Sequence, residues 1–220
     1  SEADKQIEAM VSSGKPFGFL AKAWLELTKG LPEISASMIS EFPTESMRSA
    51  LEILKEAPRH WILIRVEYDL LSALEPMNFQ AQLHLLDELD SIGSFKMPLQ
   101  LFLERTLLLY MVGRYHEGNK EFFSLRKEIK KQNAIVTVPA RLRWLLAPNQ
   151  KEKILCNAQV IESQGGYRSW ARIRELQNAM VPFIPQEFGG KRLATGQRFR
   201  CHITFGAMGP FIKAPIGSVS

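Results

Sequence analysis

Cysteine is nearly missing from this sequence: Cys156 and Cys201 are the only two in 220 residues, and they stand far apart with no paired-cysteine spacing. That excludes a disulfide framework or a cysteine-based zinc site and points to a reducing, cytoplasmic compartment. No apolar run approaches the roughly 20 residues of a membrane-spanning helix. The opening residues, Ser1 to Met10, lack the charged, apolar and small-residue order of a secretion signal. Histidine is scattered, and none of His60, His84, His116 and His202 has a histidine partner at i+3 or i+4, so no metal site is expected. A phosphate-cradling loop, a dinucleotide fingerprint and a Ser or Cys nucleophile motif are also absent. Asp87, Glu88 and Asp90 read as the solvated face of a helix, without an activating partner. The expectation is a protein that is not an enzyme, uses no cofactor or metal, and does not enter a membrane. A chain opening on Ser1 rather than Met is expected to be a piece of something longer.

Charge of one sign is scarce in one part of the chain only. The whole carries 28 basic and 23 acidic residues, net +5, with 45% hydrophobic residues and a mean hydropathy of -0.11. Residues 1–133 hold 16 basic and 19 acidic side chains, whereas residues 134–220 hold 12 and 4, net +8. A basic segment of this kind is either a solubilising surface or a site for nucleic acid or another polyanion.

The hydrophobic period changes near the same point. Phe79, Leu83, Leu86, Leu89 and Ile92 recur at three- and four-residue steps behind Asn78, a good N-cap. Trp61, Val66, Leu70 and Leu74 mark the helix before it, closed by Pro76. Leu99 to Val112, with Pro98 at its first turn, and Tyr115 to Lys131 form a helical pair turning at Gly113. Phe17 to Leu27 and a stretch from Thr44 to Ala57 complete an array of helical hairpins. Within it, the aromatic and small residues Phe102, Tyr110, Gly113, Tyr115, Gly118 and Phe122 keep the spacing of one unit of about 34 residues, which resembles a tetratricopeptide repeat. A generic helical bundle is the competing reading.

From Ala134 onward the signals are those of strands. Ala134 to Pro139 is a short β-prone run, and Arg141 to Leu146 a turn of helix closed by Pro148; residues 134–150 serve as a connector. Ile154, Cys156, Ala158 and Val160 then alternate with polar neighbours. Phe199, Cys201, Ile203 and Phe205 alternate strictly with Arg198, Arg200, His202 and Thr204. Glycines at 165–166, 189–190, 196 and 206 punctuate short strands, as in a small closed β-barrel. The fold class is therefore α+β and multidomain: an α-helical hairpin array over 1–133, then a five-stranded OB-type barrel over 151–216.

The stretch Leu193-Ala-Thr-Gly-Gln-Arg-Phe-Arg-Cys-His-Ile-Thr-Phe-Gly-Ala-Met-Gly-Pro210 resembles the closing hairpin of a cold-shock-type OB domain, in which Gly-Gln opens the fourth strand and Gly-Pro the fifth. The resemblance covers the last third of the chain. It implies binding of single-stranded RNA or DNA, RNA favoured, on aromatic-rich motifs of the second and third strands. The first motif corresponds to Tyr167-Arg168-Ser169-Trp170-Ala171-Arg172-Ile173. Strand parity independently places Trp170, Arg172 and Arg174 on one face, opposite Ala171 and Ile173. Trp170 is then either a stacking ring or partly buried. The second motif, Val181 to Phe188, carries Pro182 and Pro185, and only one of its two registers leaves Phe183 exposed. Lys191, Arg192, Arg198, Arg200 and Lys213 are candidate phosphate contacts.

Two functions follow as expectations. The first is a non-catalytic module that binds single-stranded nucleic acid through the barrel and a protein partner through the helices. The second is a structural or sensor/scaffold segment of a larger multidomain protein, with the barrel used for protein interaction.

Overall fold

The computed structural model describes residues 2–29, 42–93, 95–147, 152–164, 168–188 and 193–214. They form two compact units, Ser1–Met97 and Pro98–Ser220, so the change of period near residue 133 falls inside the second. Counted by these units, the charge separates further. Residues 1–97 hold 9 basic and 15 acidic side chains, net -6, and residues 98–220 hold 19 and 8, net +11.

The first unit is helical: α1 (Glu2–Ser12), α2 (Pro16–Thr28), α3 (Thr44–Lys55), α4 (Trp61–Leu74) and α5 (Phe79–Ser91), each packed on its neighbour in sequence. Its core follows from the period. Leu83, Leu86 and Leu89 of α5 are fully buried, as are Leu54 of α3 and Ile64 and Leu70 of α4. Burial of each such side chain contributes about 1.5–3 kcal/mol. Asn78 caps α5, its Oδ1 accepting from Ala81 N at 3.3 Å. Thr44 does not cap α3, because Pro43 holds the N-cap position and Thr44 is already helical.

Arg59, before α4, ties two helices together. Its guanidinium donates to Glu67 of α4 at 2.7 Å and to both carboxylate oxygens of Glu88 of α5 at 2.5 Å. Glu88 is therefore not a free member of a solvated acidic face. The guanidinium holds its carboxyl below the ordinary 4.5. A depressed carboxyl stabilises the fold above its unfolded pKa, and that contribution fades as pH falls through the folded value.

The second unit joins a helical hairpin to a barrel. Helices α6 (Leu99–Met111) and α7 (Tyr115–Gln132) pack tightly at Gly118, where an added Cβ would lie 2.5 Å from the Tyr110 ring. Phe122 is buried beside it. Both rings continue onto the barrel: Tyr110 meets Phe205 edge-on at 5.0 Å, and Phe122 stacks on it at 6.5 Å. The tyrosine hydroxyl donates to Asn119 Oδ1, and burial raises its pKa.

The barrel strands are β1 (Cys156–Gln164), β2 (Arg168–Ile173), β3 (Ala179–Phe183), β4 (Arg198–Gly206) and β5 (Gly209–Lys213). Their antiparallel order, β3-β2-β1-β4-β5 with β3 approaching β5, is that of a nearly closed OB-type barrel. Lys213 bridges the seam to Glu187 at 2.5 Å. Gly196 and Gly209 take φ of +86° and +119° at the turns entering β4 and β5, conformations that favour glycine.

The connector differs from its sequence reading. Ala134 to Pro139 forms no strand, and Ile135 is 96% exposed. The Gln100 side chain satisfies this extended backbone instead, accepting from Thr137 N at 3.0 Å and donating to Thr137 O at 2.8 Å. Only Ala140–Leu142 is helical, a single 3-10 turn. Beyond it the chain pairs with β4: Leu145 N donates to Ile203 O at 3.0 Å and Phe205 N to Arg143 O at 2.8 Å. Among the described residues no helix is long and apolar enough to cross a membrane.

Cys156 and Cys201, remote in sequence, are direct cross-strand partners between β1 and β4, both free and fully buried. Burial pushes the Cys156 thiol up to about 12, and burial raises Cys201 as well. Neither is a reactive thiolate at neutral pH.

Two measurements check these contacts. Arg59→Ala leaves the Glu67 carboxylate buried without its partner and is expected to cost about 1–3 kcal/mol in urea unfolding at pH 7. The loss should shrink as pH drops below about 4.5, the ordinary Glu88 value. Thiol labelling of the native protein at pH 8 should be negligible and become complete in denaturant.

Candidate nucleic-acid interface

β1 lies between β2 and β4, and the register of the three strands assembles the site. Gln159 of β1 opposes Arg172 of β2 on one side and Arg198 of β4 on the other, while Asn157 opposes Arg200. Opposed residues of an antiparallel pair share a face. A row of Met180, Arg172, Gln159 and Arg198, polar but for the methionine at its β3 end, therefore crosses the outside of the sheet from β3 to β4. Ala158, Ala171, Ile173 and Cys201 alternate with it and are buried.

The outcome is an open groove of about 570 Å³ lined by Arg172, Arg174, Arg198 and Arg200, with Asn157 and Gln159 as its floor. All four arginines are exposed. Among the described residues none of the four pairs with a carboxylate. Glu175 borders the floor of this groove, its carboxylate accepting from Asn157 N at 2.8 Å and Asn157 Nδ2 at 2.6 Å. Four cations held around one groove create a positive potential that favours a phosphate chain.

The predicted residues separate under this geometry. Arg172 and Arg198 flank Gln159 from either side, Arg200 follows Arg198 along β4, and Arg174 joins them from a 3-10 turn, Arg174–Leu176, after β2 ends at Ile173. Trp170 is half-exposed on the same outer face, opposed by Pro182 and Glu162. Arg168 lies in β2, with its side chain outside the described residues, as are Tyr167, Lys191 and Arg192. Lys213 is engaged by Glu187 at the seam.

Phe183 requires a correction. It is 1% exposed, and its ring packs at 5.8 Å from Phe188 and 5.4 Å from Phe199 inside the barrel, so it offers no face to a base. The cause is register: Phe183 opposes the buried Ser169 and shares its inward parity with Val181, leaving Met180 outside at 51% exposure. Where the third strand would carry stacking rings, this barrel has Met180 and a buried Pro182. The sequence reading also missed the floor residues Asn157 and Gln159, whose alternation with Cys156 and Ala158 was the available signal.

No known family, curated protein or solved structure matches the chain. Among the described residues no cluster of three or more histidine, cysteine or acidic side chains is placed to hold a metal.

Phe183→Ala is expected to act on stability, costing about 3–5 kcal/mol as a core aromatic does. Thermal unfolding reads that loss, while arginine-groove binding measured well below the melting temperature should change little.

Proposed function

We propose that the barrel binds single-stranded nucleic acid through the groove of Arg172, Arg174, Arg198 and Arg200, as a cold-shock-like module without catalysis. The observation that carries this reading is the convergence of four exposed arginines, unpaired among the described residues, around one open groove. The net charge of +11 over residues 98–220 supports it, because long-range attraction raises encounter rates with a polyanion. With Phe183 in the core, the family's row of rings is shortened. Affinity should then come mainly from phosphate contacts, with modest base preference and RNA favoured over DNA.

The helical unit is assigned to docking a protein partner, in a tetratricopeptide-like manner. Support comes from α2, which exposes Phe17, Trp24 and Leu25. The shortened aromatic row favours a second reading, in which the barrel is a structural or protein-interaction element of a larger multidomain protein.

Titration of ten-nucleotide RNA and DNA strands across a salt series tests the proposal. Binding should weaken linearly in log Kd against log salt, and Arg198→Ala with Arg200→Ala should reduce the slope by about 1.4, roughly 0.7 for each single-strand phosphate that the protein no longer neutralises. Absence of binding to both strands at low salt, with a protein partner recovered through the barrel, overturns it in favour of the second reading.

A further inference from the structure

Arg198, Arg200, His202 and Thr204 follow one another along the outer face of β4, each two residues from the next. Thr204 forms an antiparallel bridge with Trp144 of the connector. Bridged residues share a face, so Trp144 continues the arginine line at its far end. Four residues of strand separate Arg200 from Thr204, about 13 Å at roughly 3.3 Å per residue. That is the length of about four stacked nucleotides at roughly 3.4 Å each.

The backbone beneath Trp144 is firmly held. Hydrogen bonds on either side of it join Leu145 N to Ile203 O at 3.0 Å and Phe205 N to Arg143 O at 2.8 Å, and Thr204 Oγ1 donates to Arg143 O at 2.9 Å. The surroundings of its ring are polar and cationic. Lys153 Nζ lies over one face of the ring, 3.7 Å from its centroid, so that only the opposite face is left for stacking, and the His202 ring stands perpendicular to it at 6.5 Å and 88°. His202 is oriented in turn: its Nδ1 stands 2.9 Å from Ile154 O. A carbonyl only accepts, so Nδ1 carries a hydrogen and the ring is held by that bond. Trp144 is half-exposed in this setting, whereas the packing rings of the same unit, Tyr110, Phe122 and Phe183, are fully buried.

The geometry points to Trp144 as the principal base-stacking residue of this interface, with Lys153 binding the adjacent phosphate and His202 fixing the ring edge. The inference rests on the proposed function and moves the stacking platform from the third strand to the connector. A base needs a broad π face on a fixed backbone beside cationic groups. Trp144 supplies these where Phe183, turned inward, does not. The strand would run along β4 from the arginine groove to the connector.

Fluorescence titration of the full chain with ten-nucleotide oligouridine and oligothymidine tests the assignment. Trp144→Ala should weaken binding about 5-fold to 150-fold, the range for removal of one stacked base, with the salt slope unchanged because no charge is removed. Trp144→Phe should retain most of the affinity but lose the larger part of the ligand-induced quenching. Trp170→Ala should keep that quenching. Wild-type affinity in a folded Trp144→Ala protein, or full quenching in Trp144→Phe, overturns the assignment. Should Trp144→Ala fail to fold, Trp144→Phe decides alone. If Arg198→Ala with Arg200→Ala weakens binding while both Trp144 variants behave as wild type, the stacking assignment falls and the groove stands. If the wild type binds neither probe at low salt, the proposed function itself falls.

Discussion

Three rings, Tyr110 of α6, Phe122 of α7 and Phe205 of β4, meet with centroids 5.0–6.5 Å apart, and the second unit is built around that contact. Each aromatic pair adds about 0.5–1.5 kcal/mol to what burial already supplies. The close approach at Gly118 brings Tyr110 and Phe122 together, because any side chain there would collide with the tyrosine ring. The hairpin that resembles one helical repeat thereby acts as a lid on the barrel core. Arg126 of α7 reinforces the arrangement: a Cβ at Gly209, in the turn into β5, would run into its guanidinium.

This fusion explains where the charge resides. A boundary drawn by periodicity leaves α6 and α7 with the acidic helices, but compactness assigns them to the barrel, and the charges of 98–220 then sum to +11 against -6 for 1–97. The basic side chains of α7 belong to the same compact unit as the arginine groove.

The site itself is a consequence of alternation. Along β4 the inward residues Cys201, Ile203 and Phe205 are all buried, which forces Arg198, Arg200, His202 and Thr204 outward. β1 offers the complementary floor, with Asn157 and Gln159 outward while the cysteine pair and Ala158 fill the interior. The same rule removed Phe183 from the surface, since a strand of period two cannot present both Met180 and Phe183. The connector then provides an aromatic ring through an isolated bridge to Thr204.

Local pattern alone determined the helices from α2 to α7, the strict alternation of β4, the outward parity of Trp170 and Arg172, and the glycine turns at 196 and 209. Each depends on neighbours within a few residues, where steric and burial preferences act directly. α1 was not anticipated: Ile7, Met10 and Val11 do fall at helical spacing, but the stripe is only three residues long and none of the helix's described residues is buried. Tertiary structure decided what depends on pairing between distant segments: the register that buried Phe183, the meeting of Cys156 with Cys201, and the convergence of arginines from β2 and β4 over β1. It also decided the alignment of Trp144 with β4 and the attachment of α6 and α7 to the barrel. Register and docking are set by the summed fit of many distant side chains, which no short window of sequence contains.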